Sequence, residues 1–262
     1  MSLLEEITPL LITHDEIANI ERTLRPLQWA KRIVVIDSGS TDGTLEALAR
    51  HPQVVVFHRA FDTFADQCNF GLGKIETEWV LSMDADYVVT DELVAELRAL
   101  DPAPDQKGYR IGFRYCIHGN RLNGSLYPAR TVLYRARQGH YENVGHGHRV
   151  TVDGAVSPLR GKILHDDRKP LDRWLASQVR YTQREAQYLL ATPRAQLSRR
   201  DRLRLWGWAA PLLVLLYVLL VKGTLFNGLA GWFYAWQRMY AEILLAMALI
   251  DRKLGGGNPG KS

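Results

Sequence analysis

Residues 79–86, Trp79-Val80-Leu81-Ser82-Met83-Asp84-Ala85-Asp86, run from an almost wholly apolar stretch straight into two carboxylates. A short, continuous run of aromatic and branched side chains suits a strand buried on both faces, as in a parallel sheet covered by helices. Ligands of open α/β sheets bind beyond the carboxyl ends of the strands. The run therefore ends where a site would lie. Two hard oxygen ligands there suit a divalent cation, Mg²⁺ or Mn²⁺, held against a substrate's phosphates. An isolated Asp-x-Asp also reads as a turn cap with a solvated neighbour, so the flanking sequence has to decide.

Residues 9–12, 33–36 and 54–57 are further short apolar runs. Between them Ile17, Ile20 and Leu24 recur at helical spacing behind Asp15, an N-cap candidate, and Pro26 ends or bends that helix. The second run leads into Asp37-Ser38-Gly39-Ser40-Thr41-Asp42-Gly43-Thr44, a turn rich in side-chain acceptors, with helical residues 45–50 behind it. Strand, small-residue turn and helix together form an arrangement that receives a nucleotide at a helix N-terminus. No Gly-x-Gly-x-x-Gly follows any of these strand-like runs, which removes the main support for a dinucleotide dehydrogenase. Phe61, Phe64, Cys68 and Leu72 mark another helix face, and residues 91–100 another helix. Alternation of this kind predicts a Rossmann-like, mostly parallel α/β sheet flanked by helices.

Thr13-His14-Asp15-Glu16, the Asp37 to Thr44 turn, Asp66-x-x-Asn69 and Asp84-Ala85-Asp86 together resemble the ordered motifs of family 2 glycosyltransferases, inverting enzymes of the GT-A fold. The first motif departs from the commoner Thr-Tyr-Asn-Glu. The resemblance covers about the first hundred residues. It implies a nucleotide-sugar site at Thr13, Glu16, Asp37, Asp66, Asn69, Asp84 and Arg130, with Glu16 and Asp37 at the ribose and base. It also implies a cation, Mg²⁺ or Mn²⁺, at Asp86 and Asp84, with Asp86 the direct ligand. A leaving diphosphate gathers negative charge, which a divalent cation stabilises without proton transfer.

Beyond residue 101 a Pro-rich loop gives way to short strand-like runs at 109–117, 131–135, 149–152 and 162–165. Tyr127-Pro128-x-Arg130 and Leu133-Tyr134-Arg135 resemble a segment of lipopolysaccharide-core members of the family, and both arginines offer planar forks for phosphate oxygens. An inverting transfer needs a general base near the acceptor hydroxyl. Related enzymes carry His-Glu in this region, whereas this chain has Gly145-His146-Gly147-His148-Arg149. His148 and His146 are therefore base candidates beside the acids Glu142 and Asp166, with Asp167 a further rival. His165 is a candidate third metal ligand.

Residues 205–250 are nearly all apolar, which the average composition conceals. The chain's modest net charge of +5 is concentrated just before that stretch, at Arg194, Arg199, Arg200, Arg202 and Arg204. An arginine collar beside an apolar segment suits anionic phospholipid, and no nucleic-acid motif accompanies it. A membrane span needs about 20 apolar residues. Residues 205–221 are marginal and the following stretch is broken by Arg238 and Glu242, so a helical hairpin dipping into one leaflet is expected. A buried helix pair, or contact with a second copy of the chain, is the other reading. Cys68 and Cys116 lack metal-type spacing and fit packed thiols. The N-terminus has no basic region ahead of its apolar piece and does not read as a secretory signal. The tail formally satisfies Gly-x₄-Gly-Lys-Ser, yet a P-loop needs a strand before it and a helix after it.

The expected organisation is thus a GT-A catalytic domain over 1–170, divided at 100 into nucleotide and acceptor halves. A helix and arginine collar follow at 171–204, then membrane-associated helices at 205–254 and a tail at 255–262. The expected activity is transfer from a nucleoside-diphosphate sugar, UDP-linked by preference, to a lipid-linked saccharide. Its place would be the cytoplasmic face of a bacterial inner membrane, in surface glycan or lipopolysaccharide synthesis. The competing readings are a catalytically weak nucleotide-binding membrane scaffold and a nucleotidyltransferase. The latter wants a basic, glycine-rich loop where Thr13-His14-Asp15-Glu16 offers acids.

Overall fold

The computed structural model describes residues 2–144 and 147–255. They divide into two compact units, Met1–Gly119 with Tyr127–Lys169, and Asn120–Leu126 with Pro170–Ser262.

The first unit is built on a mixed sheet of order β3-β2-β1-β4-β8-β6-β11-β5. Its leading half comprises β1 (Ile7–Thr13), β2 (Ile33–Asp37), β3 (Val54–His58) and β4 (Trp79–Asp84). All of its pairings are parallel, as the alternation with helices predicts. Successive side chains of a strand face opposite ways, so a continuous apolar run feeds two cores. Leu11, Val35, Leu81 and Met83 enter one, with Ile20, Leu24 and Leu27. Leu10, Val34, Ile36 and Val80 enter the other, with Cys68. Register aligns Thr13 with Asp37 and Ile12 with Asp84, which brings the three motif-bearing strand ends to one edge.

The connecting helices α1 (Ile20–Leu24), α2 (Thr44–Leu48), α3 (Phe64–Leu72) and α4 (Asp91–Ala99) are short. Asp15 is not the N-cap of α1. Its φ is +53°, and its carboxylate accepts the Thr41 amide at 2.8 Å instead. The helix begins only after this loop has closed.

The second half of the sheet departs from the parallel expectation. Its strands are β5 (Tyr87–Val89), β6 (Gln106–Ile117), β8 (Arg130–Arg135) and β11 (Ala155–His165), the two-residue β7 being Asn120–Arg121. β8 is antiparallel to both β4 and β6, and β5 to β11. No crossover helix separates β6 from β8, and strands joined without one pair antiparallel. The β5–β11 pairing sets Tyr87 opposite His165, which carries the far end of the sheet to the Asp-x-Asp turn. β9 (Gly139–Val144) and β10 (Gly147–Val152) form a separate two-stranded ribbon.

The second unit is helical, with α5 (Leu171–Ala191), α6 (Arg199–Arg204), α7 (Ala210–Leu216) and α8 (Gly228–Lys253). Leu189, Leu197, Leu205, Leu245 and Leu249 make its core. Arg204 leaves the expected collar and turns inward. Its guanidinium donates to Glu242 at 3.0 Å and to Glu185 at 2.7 Å. Among the described residues no single helix is long and apolar enough to cross a membrane; Ala210–Val221 and Thr224–Lys253 qualify only as a pair bent by 74°. Gly231 permits the bend, because a Cβ there would lie 1.8 Å from the Thr224 carbonyl oxygen.

Candidate active site

Two loops at the edge shared by β1 and β2 clasp each other. The Asp15 amide donates to the Ser40 hydroxyl at 2.8 Å, the Glu16 amide to Thr44 Oγ1 at 2.7 Å and the Ile17 amide to Asp42 at 3.1 Å. Asp37, fully buried, holds the second loop from within. It accepts the Gly39 and Ser40 amides at 2.8 and 3.0 Å, the Ser40 hydroxyl at 2.5 Å and the Thr13 hydroxyl at 3.4 Å. Burial alone would raise its pKa, but the bonds from Ser40 and Gly39 outweigh it and hold the carboxyl below the usual aspartate range. Thr13 and Asp37 shape the loop from inside.

At the adjoining end of β4, Asp84 is half-buried and accepts no hydrogen bond from another side chain among the described residues. Its field acts on its neighbours. Burial first, and Asp84 next, push the Tyr87 and Tyr127 hydroxyls above their ordinary range. Arg130 stacks on Tyr127, its guanidinium carbon 4.7 Å from the ring centre. Burial would lower the Arg130 pKa, but Tyr87, Tyr127 and Asp84 outweigh it and keep the group charged. Arg130 has no ion pair among the described residues, and a cation stacked on an aromatic ring in that state can receive an anionic ligand.

Asp86 has one oxygen bonded to His165 Nε2 at 3.0 Å, while its Oδ1 is buried without a partner. His165 packs against Tyr127, Tyr115 and Tyr87 at ring distances of 4.5, 4.7 and 5.3 Å. Burial would lower the imidazole pKa, but Asp86 outweighs it and raises it. Among the described residues no three His, Cys, Asp or Glu side chains gather to hold a metal ion. His165 meets Asp86 through Nε2, and its Nδ1 is buried without a partner. The orphaned Asp86 oxygen and the unengaged Asp84 remain. They fit an ion of the Mg²⁺ type, which takes one or two protein carboxylates and draws its other ligands from water and phosphate.

Several expected site residues have partners within the fold. Asp166 is buried and locked, accepting Arg22 at 2.9 Å, Arg168 at 2.9 Å and the Gly119 amide at 3.1 Å, so it is no free base. Asp166 instead secures the segment behind β11. Asp66 accepts the Thr63 hydroxyl at 2.6 Å within the N-cap of α3. Asn69 exchanges two 2.9 Å bonds with the Tyr141 backbone, which tie α3 to β9. Arg135 lies over Trp79, at the opposite end of β4 from the carboxylates, and pairs with Glu78. Glu142 is an exposed β9 residue in register with Arg149. His146 and the side chain of His148 lie outside the described residues.

The sequence reading missed the groups that surround Glu16. This carboxylate, expected at the ribose, is buried and receives Lys169 Nζ and, at 2.8 Å, Asn19 Nδ2. Burial in the first place, and Asp86 more weakly, push it up to about 7 against the pull of Lys169 and Asn19. Asn19 also donates to Asp167 at 3.1 Å and accepts Arg22 at 2.6 Å. Asn19 and Arg22 stand one turn apart, a spacing visible in the sequence, but their partners are more than a hundred residues away. A cationic Lys169 and Arg130 thus flank the Asp84–Asp86 turn, where a diphosphate and a metal would balance both signs.

Comparison with known proteins agrees with this geometry. Residues 10–150 match the family model described as Glycosyl transferase family 2. The chain is similar to the lipopolysaccharide core biosynthesis glycosyltransferase LpsC of Rhizobium meliloti, at 24% identity over 67% of this chain and 68% of that protein. A glycosyltransferase of Rickettsia felis, described as uncharacterized, is 28% identical over 40% of this chain. The match spans only 38% of that relative's length. Among solved structures, S. aureus TarS 1-349 in complex with UDP-GlcNAc aligns over 96% of this chain and 92% of that one, with a TM-score of 0.50 and 13% identity. That likeness extends to the fold alone, a mixed α/β architecture of the GT-A kind.

Proposed function

The chain belongs to glycosyl transferase family 2, and from that premise we propose that it transfers a sugar from a UDP-linked donor to a hydroxyl of a lipid-linked saccharide, inverting the anomeric carbon. The observation that carries this reading is the Asp84–Asp86 turn, where Asp86 Oδ1 is buried without a partner and Arg130 and Lys169 lie close by, at the strand edge where the two loops clasp. The lipopolysaccharide-core relative supports the choice of acceptor class.

In the proposed reaction the acceptor oxygen bonds to the anomeric carbon from the face opposite the diphosphate, and the bond to the diphosphate breaks. Asp84 and Asp86 would hold a Mg²⁺ or Mn²⁺ ion, which neutralises charge gathering on the leaving group. Arg130 offers the phosphate oxygens a planar fork. The clasped loops hold the nucleoside edge rigid, with Asp37 as their internal brace. The acceptor's proton passes to a base. Since Asp166 is locked between arginines, that role falls among Glu142, His146 and His148, where His146 and the side chain of His148 lie outside the described residues.

Calorimetric titration of the full chain with UDP, with and without Mn²⁺, tests the donor site. Binding should strengthen with Mn²⁺ and lose that gain in Asp86→Ala, with turnover of UDP-sugars falling about 100-fold or more. Equal binding with and without metal would remove the carboxylates from the centre of this reading. Metal-dependent UDP binding without any turnover would favour a nucleotide-binding scaffold.

A further inference from the structure

The second unit carries an apolar surface that its own fold leaves open. Along α8 the exposed residues Leu229, Trp232, Trp236, Tyr240, Met247 and Ile250 recur at three-, four- and seven-residue steps, which places them on one stripe. Tyr234, Ala235, Leu245 and Leu249, on the other side, are buried. The preceding helical stretch repeats the pattern with Leu212, Leu213, Leu216 and Tyr217. Exposure peaks at the bend between them, at 63% for Leu220, 68% for Val221, 81% for Phe226 and 90% for Leu229. An ordinary soluble helix buries such a stripe; this pair presents it.

We infer that this face docks on the surface of an anionic phospholipid bilayer, with α8 lying in the interface and the bend at 220–229 entering the acyl chains without crossing. Three observations select that occupant. Exposed Arg194, Arg199, Arg200 and Arg202 precede the apolar face, and Arg199 and Arg202 share helical spacing with exposed Trp206. Basic charge beside apolar surface and interfacial tryptophan is the complement of an anionic headgroup layer. Trp206 and Trp208, 62% and 73% exposed, lie directly after those arginines, and amphipathic rings of this kind settle at headgroup level. Neither segment spans alone, and their 74° angle suits a shallow wedge better than a rod through the bilayer. This inference does not rest on the donor site, so either can fail without the other.

Co-sedimentation of the full chain with vesicles tests it. Vesicles of mixed phosphatidylglycerol and phosphatidylcholine should bind the protein, and phosphatidylcholine alone should bind it far more weakly. Arg199→Gln with Arg202→Gln should weaken binding to the anionic vesicles about fivefold per arginine. Phe226→Ser with Leu229→Ser should abolish it while leaving the circular dichroism spectrum and UDP titration unchanged, since both side chains lie almost wholly outside the fold. Failure to bind anionic vesicles, or full binding by the Phe226→Ser/Leu229→Ser variant, overturns the proposal. Dimers in solution that this variant dissolves, with no vesicle binding, give the face to a second copy. Resistance to high-salt and alkaline extraction gives it to a span.

Discussion

Asp37 ends β2 with no exposed surface, and its carboxylate accepts from Gly39, Ser40 and Thr13. These bonds favour the charged form and lower its pKa despite burial. A carboxyl depressed on folding contributes stability above its unfolded value near 3.9, and that contribution is lost as pH falls through the lower folded value. Asp37→Asn keeps the shape but turns one acceptor into a donor facing other donors. It should cost about 2–3 kcal/mol at neutral pH. In urea unfolding, the gap from wild type should stay constant between about pH 5 and 8 and shrink below about pH 4. A gap unchanged at acid pH would mean that shape, not charge, braces the loop. Asp166 teaches the converse lesson about what sequence conveys. In the chain it looks as available as Asp84, an acid closing an apolar run. What separates them is Arg22, which reaches Asp166 from 144 residues away. No local pattern encodes such a partner, whereas the Asp37 carboxylate takes three of its four hydrogen bonds from Gly39 and Ser40 of its own turn.

At the scale of elements, the strands with continuous apolar runs were legible because burial on both faces leaves a dense signal. β1, β2 and β4 emerge with their motif ends aligned. β5 has three residues and β11 alternates buried with exposed positions, so their antiparallel pairing left little trace, though it is what carries His165 to Asp86. Asn69 is a related case. It sits on a helix beside Asp66 in a spacing that resembles a ligand pair, but the backbone of β9 takes both ends of its amide. Two bonds bridging α3 to β9 at 2.9 Å make it a splint for the two-stranded ribbon. Asn69→Ala should destabilise the fold by about 1–3 kcal/mol. It should also speed amide exchange at Tyr141 and its β10 neighbours far more than at β1 or β2. Uniform acceleration across the sheet would deny the local role. UDP affinity should change little, because Asn69 touches nothing at the Asp84–Asp86 turn; a tenfold loss would restore it to the nucleotide site.

For the molecule as a whole, residues 205–250 announced an apolar region, but composition said nothing of its bend or of which charges turn inward. Arg204 and Glu242 are the decisive pair. In the sequence the first belongs to a basic run and the second breaks an apolar segment. In the fold they meet, with Glu185, at the junction of α5, α6 and α8. Burial would lower the Arg204 pKa, but Glu242 and Glu185 outweigh it and hold the guanidinium charged. Removing one member of such a cluster costs more than the cluster is worth, because the remaining charges stay desolvated. Arg204→Met strands two carboxylates and should lower unfolding stability by about 3 kcal/mol or more, read as loss of helical circular dichroism in urea. Adding Glu185→Gln and Glu242→Gln removes the stranded charges and should recover most of that loss, since a neutral replacement of a buried ion cluster is often nearly cost-free. The pattern distinguishes two roles for the cluster. Rescue by the triple variant makes it a matter of charge balance. A triple variant as unstable as Arg204→Met makes the arginine's length and fork the element that sets the three helices in place.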